Sequence, residues 1–562
     1  MTKLPVVPRP AATLILVRDG APGMEVFLMQ RSLAAKFMAG AFVFPGGAVD
    51  PSDDGPLLAP HCAGLDDTLA SRMLGVERGG LAYWTAAVRE CFEEAGLLLA
   101  CQAGGDLIRL EEPAVAGRFA DLRARLARGE LGLADLCREH GLTLALDRLA
   151  YFSHWITPMD SPRRFDTRFF IAEAPAAQEA LPDHGETIDH LWIRPAEALE
   201  RCRRQEIQMA TATIKTLEAL VPFGNAAALM RDARAPRAIA PITPRPALGQ
   251  NGRQVVIPAD SSFAEVGKLD PAGSGSAYCV IRPGTVTRLS ERVRRIAAPN
   301  PGVMTGPGTN AYLVGEGDEL ALIDPGPAHP DHIEALLREA GGRLRWILAT
   351  HTHLDHTPAA QALKAATGAQ LLGMAPPPDG PQDHGFAPDR ILAHGERLAV
   401  GGATLRVLHT PGHASNHLCY LLEEEKLLFT GDHIMQGSTV VINPPDGDMA
   451  VYLASLRAIR EMDLEWLAPG HGFLMDQPRQ RIDRLLAHRF AREEKVLQAL
   501  RERPGATLEE LVTAVYDDVP PARYGIASRS LLAHLLKLRQ EGRAIEREDR
   551  WQEQDRGDRC PR

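Results

Sequence analysis

The sequence predicts a multidomain protein of mixed α/β and α+β class, and three observations carry that expectation. At 562 residues the chain is too long for one hydrophobic core and asks for three or four. Short apolar runs that end in Gly/Pro-rich turns alternate with amphipathic helical stretches, the pattern of layered sheets. A stretch rich in proline, alanine, arginine and glycine near the middle separates two regions with different polar clusters. We divide the chain at about residues 1–225, 226–285, 286–485 and 486–562. With 45% hydrophobic and 24% charged residues the composition is that of ordinary globular protein. A net charge of -10 gives no overall attraction for nucleic acid or anionic membrane. No apolar segment approaches the roughly 20 residues that cross a bilayer, and Met1-Thr2-Lys3-Leu4-Pro5 lacks a signal-peptide core. A cytoplasmic protein without a membrane partner is expected. Eight cysteines (Cys62, Cys91, Cys101, Cys137, Cys202, Cys279, Cys419, Cys560) contain no CxxC pair, which argues for buried thiols over a disulfide framework or a thiolate zinc site.

In residues 1–225, Leu14–Val17 and Glu25–Met29 read as two strands joined by the turn Asp19-Gly20-Ala21-Pro22-Gly23, a hairpin. Phe42-Val43-Phe44-Pro45-Gly46-Gly47 is a strand ending in paired glycines. Ala86 to Leu97 reads as a helix closed by Gly96. On that helix Glu90 and Glu94 share a face with Glu93 beside them, so three oxygen donors converge as a hard Mg²⁺ or Mn²⁺ ion requires. A solvated acidic face is the plain alternative for such a run. The whole arrangement, paired glycines followed by Arg89-Glu90-x-x-Glu93-Glu94-x-Gly96-Leu97, resembles the Nudix box. The resemblance implies an α/β/α sandwich, divalent metal held by Glu90, Glu93 and Glu94, catalysis at Glu90 and Glu94, and an Arg89 salt bridge bracing the loop-helix turn. The box is interrupted: Arg89 follows Gly47 by 42 positions where the family has 14, an insertion of 28 residues. Its first Glu falls either on Leu81, counted back from Arg89, or on Asp53, counted on from Gly47. With Trp155-Ile156-Thr157-Pro158 and Arg164 to Phe170, the insertion looks like the Nudix branch that hydrolyses coenzyme A and related diphosphates. A module that binds a nucleotide without cleaving it is the alternative. Residues 106–147 read as helices packed on this domain.

In residues 226–285, Val255–Pro258 and Tyr278–Ile281 suggest that the connector lays a strand or two on a neighbour. In residues 286–485, strands Ala311–Gly315 and Leu320–Ile323, a helix from Asp331 to Ala340 and the apolar run Trp346–Ala349 lead to Thr350-His351-Thr352-His353-Leu354-Asp355-His356. Three histidines and an aspartate at such close spacing suit a zinc ion, and without a cation they would crowd one another at high cost. Further ligand types close other apolar runs: His413 in Thr-Pro-Gly-His, Asp432 in Phe-Thr-Gly-Asp, and His471 in Pro-Gly-His-Gly. The ordered set resembles the metallo-β-lactamase fold over some 200 residues, an αββα sandwich. The resemblance implies two zinc ions: His351, His353 and His413 on one, Asp355, His356 and His471 on the other, and Asp432 bridging. Two such cations acidify a shared water and polarise the scissile oxygen, with Asp355 orienting the water. His409, His417 and His433 read as structural, His417 with a further chance of a supporting role.

The 39 positions from Asp432 to His471 leave no room for the inserted domain of the β-CASP nucleases. Gly437 to Val441, Pro444 to Met449 and Tyr452 to Leu456 look like the lactamase-like branch that includes a single-strand-specific endoribonuclease. In residues 486–562, a helix at Ala487–Leu500, one at Leu508–Tyr516 capped by Thr507 with Glu510 in the reciprocal position, one at Ser528–Gln540, and a wing at Glu541–Glu546 resemble a winged-helix cap. This segment holds 15 basic and 14 acidic residues, too balanced for a dedicated duplex binder. Arg529, Lys537, Arg539 and Arg543 either meet RNA phosphates or pack and cover the substrate. Arg556-Gly557-Asp558-Arg559-Cys560 reads as a polar end. The expectation is a two-headed hydrolase: di-zinc cleavage of single-stranded RNA or of an ester, with a glyoxalase II-type thioester as the rival bond, joined to a Mg²⁺- or Mn²⁺-dependent diphosphate hydrolase. Its partners are then small phosphate or thioester substrates and single-stranded RNA. The oligomeric state is not expressed in the sequence.

Overall fold

In the computed structural model, residues 6–34, 38–181, 187–437 and 439–554 are described. Met1–Pro5, Ser438 and the polar end at Arg556–Cys560 lie outside the described residues. The chain divides into two compact units, Met1–Pro246 with Ala272–Ser274, and Ala247–Pro271 with Gly275–Arg562. No described helix is long and apolar enough to cross a membrane.

The first unit is built on one mixed sheet. Strands β1 (Arg9–Gly20) and β2 (Gly23–Arg31) form the expected hairpin, with Val17 opposite Val26. The short β3 (Gly46–Ala48) runs antiparallel to β1, placing Gly46 opposite Thr13 and Gly47 opposite Ala12. On the other side of β1 lie β4 (Ala150–Ile156) and β5 (Phe165–Glu173), β5 parallel to β1 and antiparallel to β4. Thr187–Ile193 pairs with β2. Alternate residues face opposite ways. Leu14, Leu16, Phe27 and Phe170 pack with Trp84, Val88 and Phe92 of helix α1 (Leu81–Ala95), while Ile15, Val17, Val26 and Ile171 are buried on the opposite face. Helices Pro113–Ala127 and Leu133–His140 add Phe119, Leu122 and Leu136 to the same core, as the leucine spacing of residues 106–147 suggested.

The second unit contains a two-sheet sandwich. Its first sheet includes β6 (Asn310–Val314), β7 (Leu320–Ile323), β8 (Leu344–Leu348) and β9 (Gln370–Gly373), the last three parallel. The second includes β10 (Ala403–His409), β11 (Leu418–Leu422), β12 (Leu427–Gly431) and β13 (Trp466–Pro469). Tyr312, Ile323 and Leu348 meet Val407, Tyr420 and Phe429 in the core between the sheets. The outer faces are covered in turn: Leu313 and Ile347 pack with Leu336 and Leu363 of helices Pro330–Ala340 and Ala360–Thr367, and Cys419 and Leu428 pack with Leu453 and Leu456 of helix Met449–Arg460. Strands buried on both faces explain why they read as continuous apolar runs. Beyond the sandwich, α2 (Pro478–Glu502), α3 (Leu508–Val515) and α4 (Tyr524–Gln540) surround a small core, and a hairpin at Ala544–Arg547 and Arg550–Glu553 forms the wing. The expected cap of α3 is present, with Thr507 and Glu510 bonded reciprocally.

The connector is shared. Ile242 bonds to β4 in the first unit, and Arg245–Gly249 and Gly252–Val256 make a two-stranded hairpin. Helix Phe263–Leu269 belongs to the second unit. Its buried Glu265 holds Arg295 through two bonds of 2.7 Å and accepts the Leu474 N–H at 2.7 Å.

Candidate metal centre

Strand ends of both sheets deliver the polar residues to one place. β8 leads into His351, His353, Asp355 and His356; β10 is followed by His413, β12 by Asp432 and β13 by His471. Glycines make the approach possible. Gly431, at φ +45°, leaves no room for a Cβ beside Thr350, and a Cβ on Gly470 would stand 2.6 Å from Asp432 Oδ1.

Two donor groups result. In the first, His351 Nε2 lies 2.9 Å and His413 Nε2 3.1 Å from His353 Nδ1. The outer nitrogens fix the tautomers. His413 Nδ1 is 2.8 Å from the Val441 carbonyl, which can only accept, so the proton sits there and the Nε2 lone pair faces inward. Thr350 Oγ1 donates to Asp324 Oδ2 at 2.8 Å and therefore accepts from His351 Nδ1 at 3.0 Å, which turns His351 Nε2 inward too. Three lone pairs aimed at one another repel unless a cation lies between them; around a tetrahedral zinc such nitrogens stand about 3.3 Å apart. In the second group, Asp355, His356, Asp432 and His471 converge. His471 Nε2 is 3.2 Å from Asp355 Oδ2 and 3.3 Å from Asp432 Oδ1, and His356 Nε2 is 3.5 Å from each of the same carboxylates. His356 Nδ1 is fixed by Asp324 Oδ2 at 2.9 Å, and His471 Nδ1 faces the Gly308 carbonyl at 3.3 Å. Asp432 presents Oδ1 to this group and Oδ2 to His413 Nε2, 3.9 Å away. His356 Nε2, His471 Nε2 and Asp432 Oδ1 are buried without a hydrogen-bond partner, which leaves them free to hold a metal ion.

The electrostatics separate the groups. Burial, reinforced by neighbouring imidazoles, holds His351 well below its ordinary range and His353 at about 3, so both imidazoles are neutral. Burial also opposes charge on His356 and His471, yet the surrounding carboxylates outweigh it. His356 is driven well above its usual value, His471 to about 9, and Asp432 far below the carboxylate range. The second group therefore demands positive charge.

Asp324 was missed as a functional residue in the sequence. Its carboxylate accepts from Thr350 N–H and orients both His356 and the Thr350 hydroxyl that holds His351. The signal was present, since Asp-Pro-Gly closes β7 just as ligand residues close the other strands. His417 is fully buried, stacked on His351 at 5.0 Å, and His433 is buried behind it; neither lines the cavity.

A cavity of about 800 Å³ opens onto both groups, with His353, Asp355, His413 and Asp432 in its floor. Val303, Met304, Leu354 and Val441 make apolar walls, and the winged helix contributes Arg523, Ile526 and Arg529. Among the described lining residues there is no Phe, Tyr or Trp. Of the four cations singled out in the winged helix, Lys537 and Arg543 pair with Glu493 and Arg539 with Glu546, leaving Arg529 at the cavity.

In the first unit, Arg89 is buried and holds Asp53 in a bidentate pair, both bonds 2.9 Å, and donates to the Ala48 carbonyl at 2.9 Å. Of the two positions counted for the box's first acid, Asp53 reaches Arg89, whereas Leu81 is a core residue. The insertion lies between Asp53 and Arg89. Glu90 and Glu93 face Arg89 at 3.0 and 2.9 Å, while Glu94 Oε2 accepts the Gly46 N–H at 2.8 Å. A Cβ on Gly47 would stand 2.4 Å from Glu90 Oε1, so glycine lets the loop pass. Burial pushes Glu90 up to about 7 against the pull of Arg89, and raises Glu93. These three carboxylates share a helix face but, among the described residues, do not form a donor group as close as the two in the second unit.

Three family models match the chain: the Metallo-beta-lactamase superfamily over residues 304–471, the NUDT19 Nudix domain over 68–220 and the Beta-lactamase associated winged helix domain over 507–551. A Beta-lactamase-like protein 2 homolog of Drosophila melanogaster is 34% identical over 277 residues, 46% of this chain and 91% of that protein. An Atrochrysone carboxyl ACP thioesterase of Aspergillus chevalieri is 36% identical over 248 residues, 42% of this chain and 76% of that protein. The crystal structure of a NUDIX hydrolase from Alicyclobacillus acidocaldarius is 30% identical, with a TM-score of 0.34, over 40% of this chain and 96% of that one.

Proposed function

The chain belongs to the metallo-β-lactamase superfamily, with a Nudix domain before the lactamase domain and a winged helix after it, and on that footing we propose that its second unit hydrolyses acyl thioesters with two zinc ions. The observation that carries this reading is the cavity over the donor groups. Its apolar walls at Val303, Met304, Leu354 and Val441 suit an acyl chain, and among its described lining residues there is no Phe, Tyr or Trp on which single-stranded RNA would stack. The relative that is an ACP thioesterase supports the same bond.

His351, His353 and His413 would hold one zinc and Asp355, His356 and His471 the other, with Asp432 between them. Bound there, the pair would supply Lewis-acid polarisation of the carbonyl and acidify a water. Asp355, at the cavity floor, orients the water and takes its proton. The apolar walls exclude bulk solvent from the acyl group, and collapse of the tetrahedral carbon expels the thiolate. Zinc-loaded protein offered an acyl thioester and a labelled single-stranded RNA tests the choice of bond. Thioester turnover that is lost in His353→Ala supports the reading; RNA cleavage alone sinks it.

For the Nudix domain the proposal is Mg²⁺- or Mn²⁺-dependent hydrolysis of a diphosphate in coenzyme A or a nucleotide derivative, through Glu90, Glu93 and Glu94. The intact Asp53–Arg89 brace supports it. Binding of such a ligand without turnover would favour a non-catalytic module. The boundaries at about 225, 285 and 485 belong to the proposal and are checked by limited proteolysis. So does a cytoplasmic setting, supported by seven free cysteines among the described residues.

A further inference from the structure

We propose that Arg523 and Arg529 form an oxyanion subsite at the rim of the metal cavity, which takes the charged end of the substrate's thiol arm. The inference rests on the thioesterase reading above. Both arginines line the cavity that contains His353, Asp355, His413 and Asp432. Both are exposed, and among the described residues neither guanidinium has a hydrogen-bond or ion-pair partner. Six other cations of the same domain, Arg492, Lys495, Arg501, Lys537, Arg539 and Arg543, are ion-paired. In a chain with 72 acidic and 62 basic residues, two guanidinium groups without a carboxylate partner line one cavity, whose carboxylates are Asp355, Asp432 and Asp446.

Their placement is fixed by the fold. Arg523 ends the turn Pro521–Arg523, and Ile526 and Arg529 follow on α4 at spacings of three, which puts all three on one side. α4 is fastened to the cavity wall: the Ile442 N–H donates to Ser530 Oγ at 3.4 Å, and Ala533 packs with Val440 and Ile442. Of the carboxylates in the same lining, Asp355 and Asp432 belong to the second donor group, and Asp446 accepts from Ser415 N–H at 3.1 Å and Gln382 Nε2 at 3.3 Å. The guanidinium fork binds phosphate and carboxylate alike, often through two parallel bonds. The cavity thus has an apolar side for the acyl group and a cationic rim for an oxyanion, the polarity of a thioester whose thiol arm ends in a phosphate, as in phosphopantetheine, or in carboxylates, as in glutathione.

The test compares kcat/KM of the zinc-loaded full chain for hexanoyl-phosphopantetheine, hexanoyl-glutathione and the neutral-ended hexanoyl-pantetheine, in wild type, R523A, R529A and R529K. Calorimetric titration with phosphopantetheine and with glutathione gives a readout independent of turnover. The preference for an anionic over the neutral arm should fall about tenfold for each alanine variant, chiefly through KM, with R529K retaining part of it. The arm whose preference and binding fall identifies the oxyanion. Unchanged preference and unchanged binding in R523A and R529A would overturn the subsite even if all three thioesters are hydrolysed. RNA cleavage that depends on these arginines, with no effect on either anionic arm, would overturn it as well. If no thioester is hydrolysed but phosphopantetheine or glutathione binds and the variants weaken it, the reaction assignment fails and the subsite stands.

Discussion

At the scale of single residues, Asp324 shows how the donor set is held. It stands at φ +52°, an uncommon conformation for a residue with a side chain, and its two oxygens reach Thr350 and His356. Asp324→Ala should weaken metal affinity or activity by about 10–100-fold while leaving all seven donors in place, as measured by competition with a chelator. The charged second group gives a pH dependence for chelated protein. His471 is raised from 6.5 to about 9 in the fold, so the stability it contributes is full below about pH 6.5 and is lost as pH rises through 9. The melting temperature of the zinc-free protein should therefore be lower at pH 9.5 than at pH 6.5. Zinc binding at pH 7 should release protons from this group, seen as a buffer-dependent heat in calorimetry.

At the scale of elements, the strand ends and the helices that carry the sites were legible because each pairs an apolar run with a Gly/Pro turn or a cap. The hairpin at Val17 and Val26, the close of α1 at Gly96 and the Thr507 cap all follow from local chemistry. What was not legible depends on contacts distant in sequence. Asp53 and Arg89 are separated by an insertion, and only the fold brings them to 2.9 Å. Helix Phe263–Leu269 lies in a stretch that reads as a linker, yet Glu265 locks Arg295 and the backbone of Leu474, three residues after His471. Glu265→Ala leaves a buried guanidinium unpaired and should cost about 3–5 kcal/mol, read as a lower denaturation midpoint, together with easier loss of zinc.

At the scale of the whole molecule, a Nudix domain and a metallo-β-lactamase domain share one chain. The first offers only carboxylates, which suit Mg²⁺ or Mn²⁺; the second offers five imidazoles and two carboxylates, which suit zinc. The donor sets are separate, so Glu94→Gln should abolish diphosphate release while thioester turnover persists, and His353→Ala should do the reverse, both followed on the same preparation. The chain is acidic overall, and Arg523 and Arg529, which have no ion-pair partner among the described residues, both line one cavity. The most direct test of the account is thioester turnover as zinc is titrated into the metal-free chain, for wild type and Asp432→Asn. The account predicts that turnover rises until two zinc ions are bound per chain and falls at least about a hundredfold in Asp432→Asn. Full turnover at one zinc, or turnover that survives in Asp432→Asn, would contradict it.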